Sequence, residues 1–354
     1  MAQSGSALAW GARGRWFESS RPDHSKILSS TQNGTELMFA FVVYKLGARL
    51  AQSLSLPTAR KLAHVVGRLM CFLQRRNRRH LLRNLEVAFG DELTPRELRR
   101  LRRRIFCNFA VFVTDFLRMP LVTESNLGDY FTPGSLERVR RLGEMATPET
   151  PVISTTAHLG NWEMGAAATG LLAGPISVLV DVHPSGLVTA FFDGRRADKG
   201  IDVVSVSAFH KCFRALRKGS LVAIVGDRPV TGQGIRIEYF GREALLPDGY
   251  AVLARRFGAS VVPTFMLMNE DGKYEFVVDD PVSPRVTDDV TADVRDLAER
   301  CVKVFEAYIR RYPEQWYVFR PVWDGKTAAV EDRHRRRGRR LMTRRGRASK
   351  RRGR

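Results

Sequence analysis

Residues 151–166 read Pro151-Val152-Ile153-Ser154-Thr155-Thr156-Ala157-His158-Leu159-Gly160-Asn161-Trp162-Glu163-Met164-Gly165-Ala166. The β-branched run Val152–Thr156 has the composition of a strand. It stops at His158, and the chain crosses Gly160 and Asn161 into a segment of helix-forming residues. Asn161 suits the N-cap, and Glu163 falls in the first turn, where the helix dipole favours negative charge. Because His158 lies in the turn and not on the helix, a carboxylate five residues later can fold back toward its imidazole. A histidine whose tautomer is fixed by a carboxylate is what a general base needs to take a proton from a hydroxyl. The same residues also suit a capped helix beside a hydrogen-bonded loop, with no chemistry attached.

Beyond this unit the strand–helix alternation continues. The run Ile176–Val180 reads as a buried strand ending at Asp181, and Leu221–Val225 as another that delivers Gly226-Asp227-Arg228. In parallel α/β sheets, sites collect at the carboxyl ends of strands, so His158 and Asp181 are expected to approach one another, and Asp227 is a further acidic group placed at a strand end. Arg195 and Arg196 precede Gly200 and a short strand at 201–204; either could meet a phosphate or a surface acid. Residues 235–240 alternate as a half-exposed strand, 250–257 are helical, and Val261-Val262-Pro263 is buried. Tyr274–Val278 reads as an edge strand and 290–312 as an amphipathic helix. The expected fold is α/β, with a mixed, largely parallel central sheet flanked by helices and with amphipathic helices at the N-terminal side.

Those N-terminal helices occupy 38–73, broken at Pro57. Leu62, Val65, Val66, Leu69 and Phe72 recur at helical spacing, interrupted by Arg60, Lys61 and Arg68. An interfacial helix and a core helix both fit this pattern. A cationic cluster follows, Arg75-Arg76-Asn77-Arg78-Arg79-His80, which suits an anionic membrane leaflet or a solvated helix face. Thr94-Pro95-Arg96-Glu97 is a capping box with proline at the first helical position, and it opens a helix that carries Leu98 through Phe116 and ends near Pro120.

The formal net charge of +21 is concentrated: thirteen Lys and Arg residues lie between Arg333 and Arg354 with no acid among them. Residues 1–37 are polar and Gly/Ser-rich, and are expected to be disordered, as is the Arg-rich tail 327–354. The segment 13–22 is similar to the 3′ part of a tRNA gene translated by mistake, so the expected true start is Met38. Between the tails, 38–326 is expected to be a single domain, with a helical part at 38–120 and an α/β part at 150–324. Four widely separated cysteines give neither a zinc pattern nor a redox pair. There is no run of eighteen apolar residues, so a firm transmembrane helix is not supported. An Arg-rich tail raises a rival class, a basic nucleic-acid-binding protein, but no interleaved aromatics or nucleic-acid fold accompany it.

The box His158-Leu-Gly-Asn161-Trp162-Glu163 resembles the His-X4-Asp/Glu motif of the lysophospholipid acyltransferase superfamily, in its lipid A (lauroyl/myristoyl) and phosphatidylinositol mannoside acyltransferase branch. The ordered series Gly-Asp-Arg, Tyr239-Phe240-Gly-Arg, Leu-Pro-Asp-Gly and Gly-Ala-Ser-Val-Val-Pro, then Pro313-Glu-Gln-Trp316, is similar to the same branch. So are Arg83-Asn84-Leu85 and the Asn108…Asp115-Phe116 element upstream. The likeness covers about residues 40–324.

The resemblance implies transfer of a fatty acyl chain from acyl-carrier protein or acyl-CoA to a hydroxyl of a membrane lipid, with no metal or redox cofactor. A lipid A-type precursor is the first acceptor expected, and a phosphatidylinositol mannoside or other glycolipid or aminolipid the second. His158 would be the general base and Glu163 would hold and charge its imidazole. Asn161, Arg196 and Arg228 would contact substrate, the arginines through a phosphate, Asp181 and Asp227 would orient His158 or the acceptor sugar, and backbone N–H groups at 160–162 would steady the oxyanion. Trp316 is expected to be packing. The expected location is the cytoplasmic face of the inner membrane, peripheral or N-terminally anchored, on anionic lipids.

Overall fold

The structure, a computed structural model, describes residues 31–180, 186–228 and 233–323. Asp181, most of the N-terminal tail and the Arg-rich tail lie outside the described residues, and so does the 13–22 segment. Thr31, the first described residue, is already helical. Once a helix is nucleated, each further residue adds a hydrogen bond at little cost, so polar residues can extend it.

Four helices open the described chain: α1 (Thr31–Ser53), α2 (Leu56–Leu73), α3 (Arg75–Phe89) and α4 (Pro95–Arg118). The capping box at α4 forms as read, with Glu97 N donating to Thr94 Oγ1 and Thr94 N donating to Glu97 Oε2. Two shorter helices, α5 (Leu127–Tyr130) and α6 (Pro133–Met145), lead into the α/β part. There the chain runs β1 (Val152–Thr156), α7 (Trp162–Leu172), β2 (Ile176–Val180), α8 (Gly186–Ala197), β3 (Ile201–Ser205), α9 (His210–Arg217) and β4 (Leu221–Val225). A hairpin of β5 (Ile235–Tyr239) and β6 (Arg242–Leu246) follows, then α10 (Gly249–Phe257), β7 (Ser260–Met268), β8 (Tyr274–Val278) and α11 (Val290–Arg311).

The main sheet has the order β3-β2-β4-β1-β7-β8. Its first five strands are parallel and β8 closes one edge antiparallel to β7. This is the mixed, largely parallel sheet expected from the sequence. Alternation sends successive residues of β1 to opposite faces. Val152 joins the core formed with α7, where Met164, Ala167 and Ala168 are buried, and Ile153 joins the core formed with α10 and α11, where Leu253, Leu297 and Phe305 are buried. In the separate hairpin, Phe240 (φ 51°) and Gly241 (φ 71°) form the two-residue loop, the left-handed pair that matches strand twist.

Helix α2 is packed the other way round from an ordinary amphipathic helix. Its buried stripe is Ala59, Ala63, Gly67 and Cys71, one small residue every four positions. Small residues let helix axes approach closely; a Cβ on Gly67 would lie 2.5 Å from Cys107 Cα of α4. Its large side chains face outward: Leu62, Val65, Val66, Leu69 and Phe72 are 39–71 % exposed. Val42, Val43, Leu46 and Leu50 of α1 are exposed as well. No described helix is long and apolar enough to cross a membrane.

Candidate active site

Strands β1 and β4 are neighbours, and Thr156 stands opposite Val225. Two residues beyond each, at the same carboxyl rim, the chain places His158 and Asp227. They meet: His158 Nδ1 lies 2.5 Å from Asp227 Oδ1. Asp227 is fully buried, and its second oxygen accepts from Trp316 Nε1 at 3.0 Å. Burial acts to raise the Asp227 pKa, but the attraction and hydrogen bond of the His158 ring, with the Trp316 N–H, outweigh it and hold the carboxyl below the usual range. At the other side of the ring, Arg228 Nε donates to His158 Nε2 at 3.1 Å. A nitrogen that accepts from a guanidinium carries a lone pair, so the ring is the neutral tautomer with its proton on Nδ1, facing Asp227.

Glu163 does not hold His158. Its Oε1 and Oε2 accept from Arg196 Nη2 (2.6 Å) and Nε (2.9 Å), a two-pronged ion pair between α7 and α8. Arg196 Nη1 also reaches Asp193 Oδ1 at 3.2 Å. The expected contact of Glu163 with His158 fails for a geometric reason. From the first turn of α7 the Glu163 side chain runs toward α8, on the β2–β3 side of the sheet, whereas the His158 ring turns toward β4. Glu163 and Arg196 together fasten α7 to α8, and each guanidinium nitrogen of Arg196 already has a carboxylate. Arg195 stacks on Phe191 within its own helix, 3.6 Å from the ring centroid.

Asn161 is also absorbed by the fold. Its Oδ1 caps α7 by accepting from Met164 N, and its Nδ2 donates to Tyr274 Oη at 2.8 Å. Tyr274 Oη in turn donates to Asp115 Oδ2 at 2.5 Å, and Asp115 pairs with Arg60 through Nη2 at 2.7 Å. This buried chain joins α2, α4, β8 and the start of α7 below the histidine. The expected oxyanion donors at 160 and 161 are occupied too, since Gly160 N donates to Gln315 O and Asn161 N to Met266 O. Gly160 has φ 68°, and a Cβ there would fall 2.0 Å from Met266 O, so the turn requires glycine.

The segment 313–318, read only as closing and packing, completes the site. Tyr317 N donates to His158 O, Leu159 bridges to Trp316, and Gln315 exchanges two hydrogen bonds with the backbone of Met268. Trp162 sits edge-on to His158 with ring centroids 5.1 Å apart, backed by Phe112 at 4.5 Å. The Trp316 role had one signal in the sequence: a buried indole N–H usually has an acceptor. Such an arrangement can take a proton on His158 Nε2 while a buried carboxylate steadies the imidazolium that results.

The sequence profile described as bacterial lipid A biosynthesis acyltransferase matches residues 33–324. The chain belongs to that family. It is therefore an acyltransferase acting on lipids, as the motifs implied. It is 24 % identical to a phosphatidylinositol mannoside acyltransferase of Mycolicibacterium smegmatis over 63 % of this chain and 72 % of that protein. It is 28 % identical to a protein of the same name from Mycobacterium tuberculosis, over 47 % of this chain and about half, 52 %, of that one. The crystal structure of the 1-acyl-sn-glycerophosphate (LPA) acyltransferase PlsC from Thermotoga maritima superposes with a TM-score of 0.33 at 13 % identity, covering 71 % of this chain and 98 % of that one. That likeness is too slight to inform the site.

Proposed function

We propose that this acyltransferase moves a fatty acyl chain from a thioester, acyl-CoA or acyl-carrier protein, to a hydroxyl of a membrane glycolipid, with His158 as general base. The observation that carries this reading is the His158–Asp227 pair at the sheet rim, whose tautomer leaves Nε2 as the acceptor end. Nε2 takes the hydroxyl proton as the oxygen attacks the thioester carbonyl. The tetrahedral intermediate collapses, the C–S bond breaks, and the thiolate leaves with the proton from Nε2. Asp227 stays ionised and stabilises the imidazolium between these steps. The acyl group passes directly between substrates, so no acyl-enzyme is required.

The names of the relatives favour a phosphatidylinositol mannoside-type acceptor, whereas the description of the family favours the lipid A-type precursor expected from the sequence. Either lipid would be met at a membrane surface. The outward apolar stripes of α1 and α2, beside the exposed Arg75, Arg76 and Arg79, support peripheral attachment to an anionic bilayer. Nucleic-acid binding as the main activity has no support in this rim.

Lipid mass spectrometry of cells with and without the gene, complemented by wild type or His158→Ala, tests the reading. One lipid class should lose a single acyl chain and regain it with wild type alone. An unchanged lipid profile, together with no transfer by purified protein from palmitoyl-CoA or palmitoyl-carrier protein, would sink it.

A further inference from the structure

His158 Nε2 is the atom that must receive the acceptor's proton, and it is already covered. Arg228 Nε donates to it at 3.1 Å. A ring nitrogen has one in-plane lone pair, so an incoming hydroxyl must enter the volume that Arg228 Nε now fills. Most of the rest of the ring is covered as well. Asp227 holds Nδ1, Trp162 stands against the ring, and the His158 side chain is only 14 % exposed. Covering Arg228 and orienting Asp227 are consecutive residues. The Asp227 side chain is fixed by His158 and Trp316, and the preceding Gly226 N donates to Thr156 O at 2.8 Å. The residues just before Arg228 are thereby held at the strand rim, next to the base that its guanidinium covers.

We propose that Arg228 is a positioning residue that keeps the base covered until a phosphate-bearing acceptor lipid draws its guanidinium away. This rests on the reading of His158 as the base in acyl transfer. A guanidinium binds phosphate with two parallel charge-assisted hydrogen bonds to an anion, each stronger than one to a neutral imidazole. The acceptor is the substrate that does the displacing, because its hydroxyl must occupy the place Arg228 vacates. Covering the base has a chemical consequence. Were Nε2 open while only the acyl donor is bound, water could give it a proton and attack the thioester. The C–S bond would break to release free fatty acid and thiol, and the donor would be wasted. Arg228 ties exposure of the base to arrival of the correct nucleophile.

The test begins with the free protein and diethyl pyrocarbonate, which acylates an imidazole nitrogen only through its lone pair, read at the His158 peptide by mass spectrometry. Arg228→Gln should raise the modification rate about tenfold or more, the scale of losing one charge-assisted hydrogen bond. Dioleoylphosphatidate in detergent micelles, which brings a phosphate but no headgroup hydroxyl to cover Nε2, should accelerate modification of wild type, with no such effect on Arg228→Gln. Equal rates in the two proteins, or acceleration of wild type by coenzyme A but not by the phospholipid, would overturn the proposal. The phospholipid arm needs wild type only, so it decides even if the variant folds poorly.

With palmitoyl-CoA and no acceptor, Arg228→Gln should release free palmitate about tenfold faster than wild type. With acceptor, its KM should rise while kcat changes little, and Arg228→Lys should recover part of the KM. Unchanged hydrolysis, or a loss confined to kcat, overturns the proposal. Failure of wild type to transfer any acyl group would instead sink the functional reading, and the modification experiment, which involves no acyl chemistry, separates the two.

Discussion

The rim of the sheet and the helical layer of α1 and α2 handle side chains in opposite ways. At the rim, polar groups are buried and nearly every one has a partner: Asp227 between His158 and Trp316, Asn161 between Met164 N and Tyr274, Glu163 on Arg196. In α1 and α2 large apolar groups face outward while alanines and a glycine fill the interior. Buried polar groups cost free energy unless paired, so the rim is rigid and each partner matters. Exposed leucine and valine do nothing for the fold, so their stripe is free to serve contact with lipid.

The contrast is broken most strongly at His158. His158→Ala should lower the transfer rate roughly 10²- to 10⁴-fold, and it should also cost stability, because it leaves the buried Asp227 carboxylate with Trp316 alone. Asp227→Asn, which keeps the shape but removes the charge facing Nδ1, should fall in the same range. Kinetics beside thermal unfolding check both, and normal turnover in either would remove the pair from the mechanism. Next is the ion pair of α7 and α8. Glu163→Ala leaves Arg196 without its main partner in a largely buried place, and should cost about 3–5 kcal/mol in urea unfolding. Full stability with lost activity would mean that Glu163 works in the chemistry after all.

A smaller effect belongs to Trp316. Trp316→Phe removes one hydrogen bond to a charged group, about 1.5–3 kcal/mol. Acid sharpens this test. The folded Asp227 pKa is depressed, so its contribution to stability is present above the unfolded carboxylate value and is lost as pH falls through the folded one. Wild type should therefore lose stability more steeply than Asp227→Asn on acidification from pH ~4 downward. The smallest effect on the fold is expected from Val65→Ser with Leu69→Ser. Each should change unfolding free energy by no more than about 0.5 kcal/mol, whereas sedimentation with anionic vesicles should drop clearly. Loss of stability with unchanged sedimentation would make the stripe a core feature.

Strands that end in His158 and Asp227 were legible because the apolar runs stop where the polar residues begin, and the capping box at Thr94 was legible because its chemistry is local. The partner of His158 was misjudged in favour of Glu163 because sequence nearness suggested it. The true partner is 69 residues away and is brought near by strand order, which no local pattern records. The orientation of α2 was open for a related reason. Its apolar stripe fits an inward or an outward face, and the four-residue repeat of Ala59, Ala63, Gly67 and Cys71 is what decides it. Tyr274 and Asp115 escaped notice because a tyrosine in an edge strand and an aspartate in a long helix carry no sign of meeting.

The short segment around Gln315 and Trp316 also sets a timetable. Translation delivers β1 and its histidine well before Trp316 leaves the ribosome, and domains consolidate as synthesis proceeds. Until that indole arrives, Asp227 lacks one of its two donors, and the loop carrying Gly160 lacks the Gln315 carbonyl on which it rests. In a growing chain the surroundings of His158 and Asp227 are thus completed in a single late step.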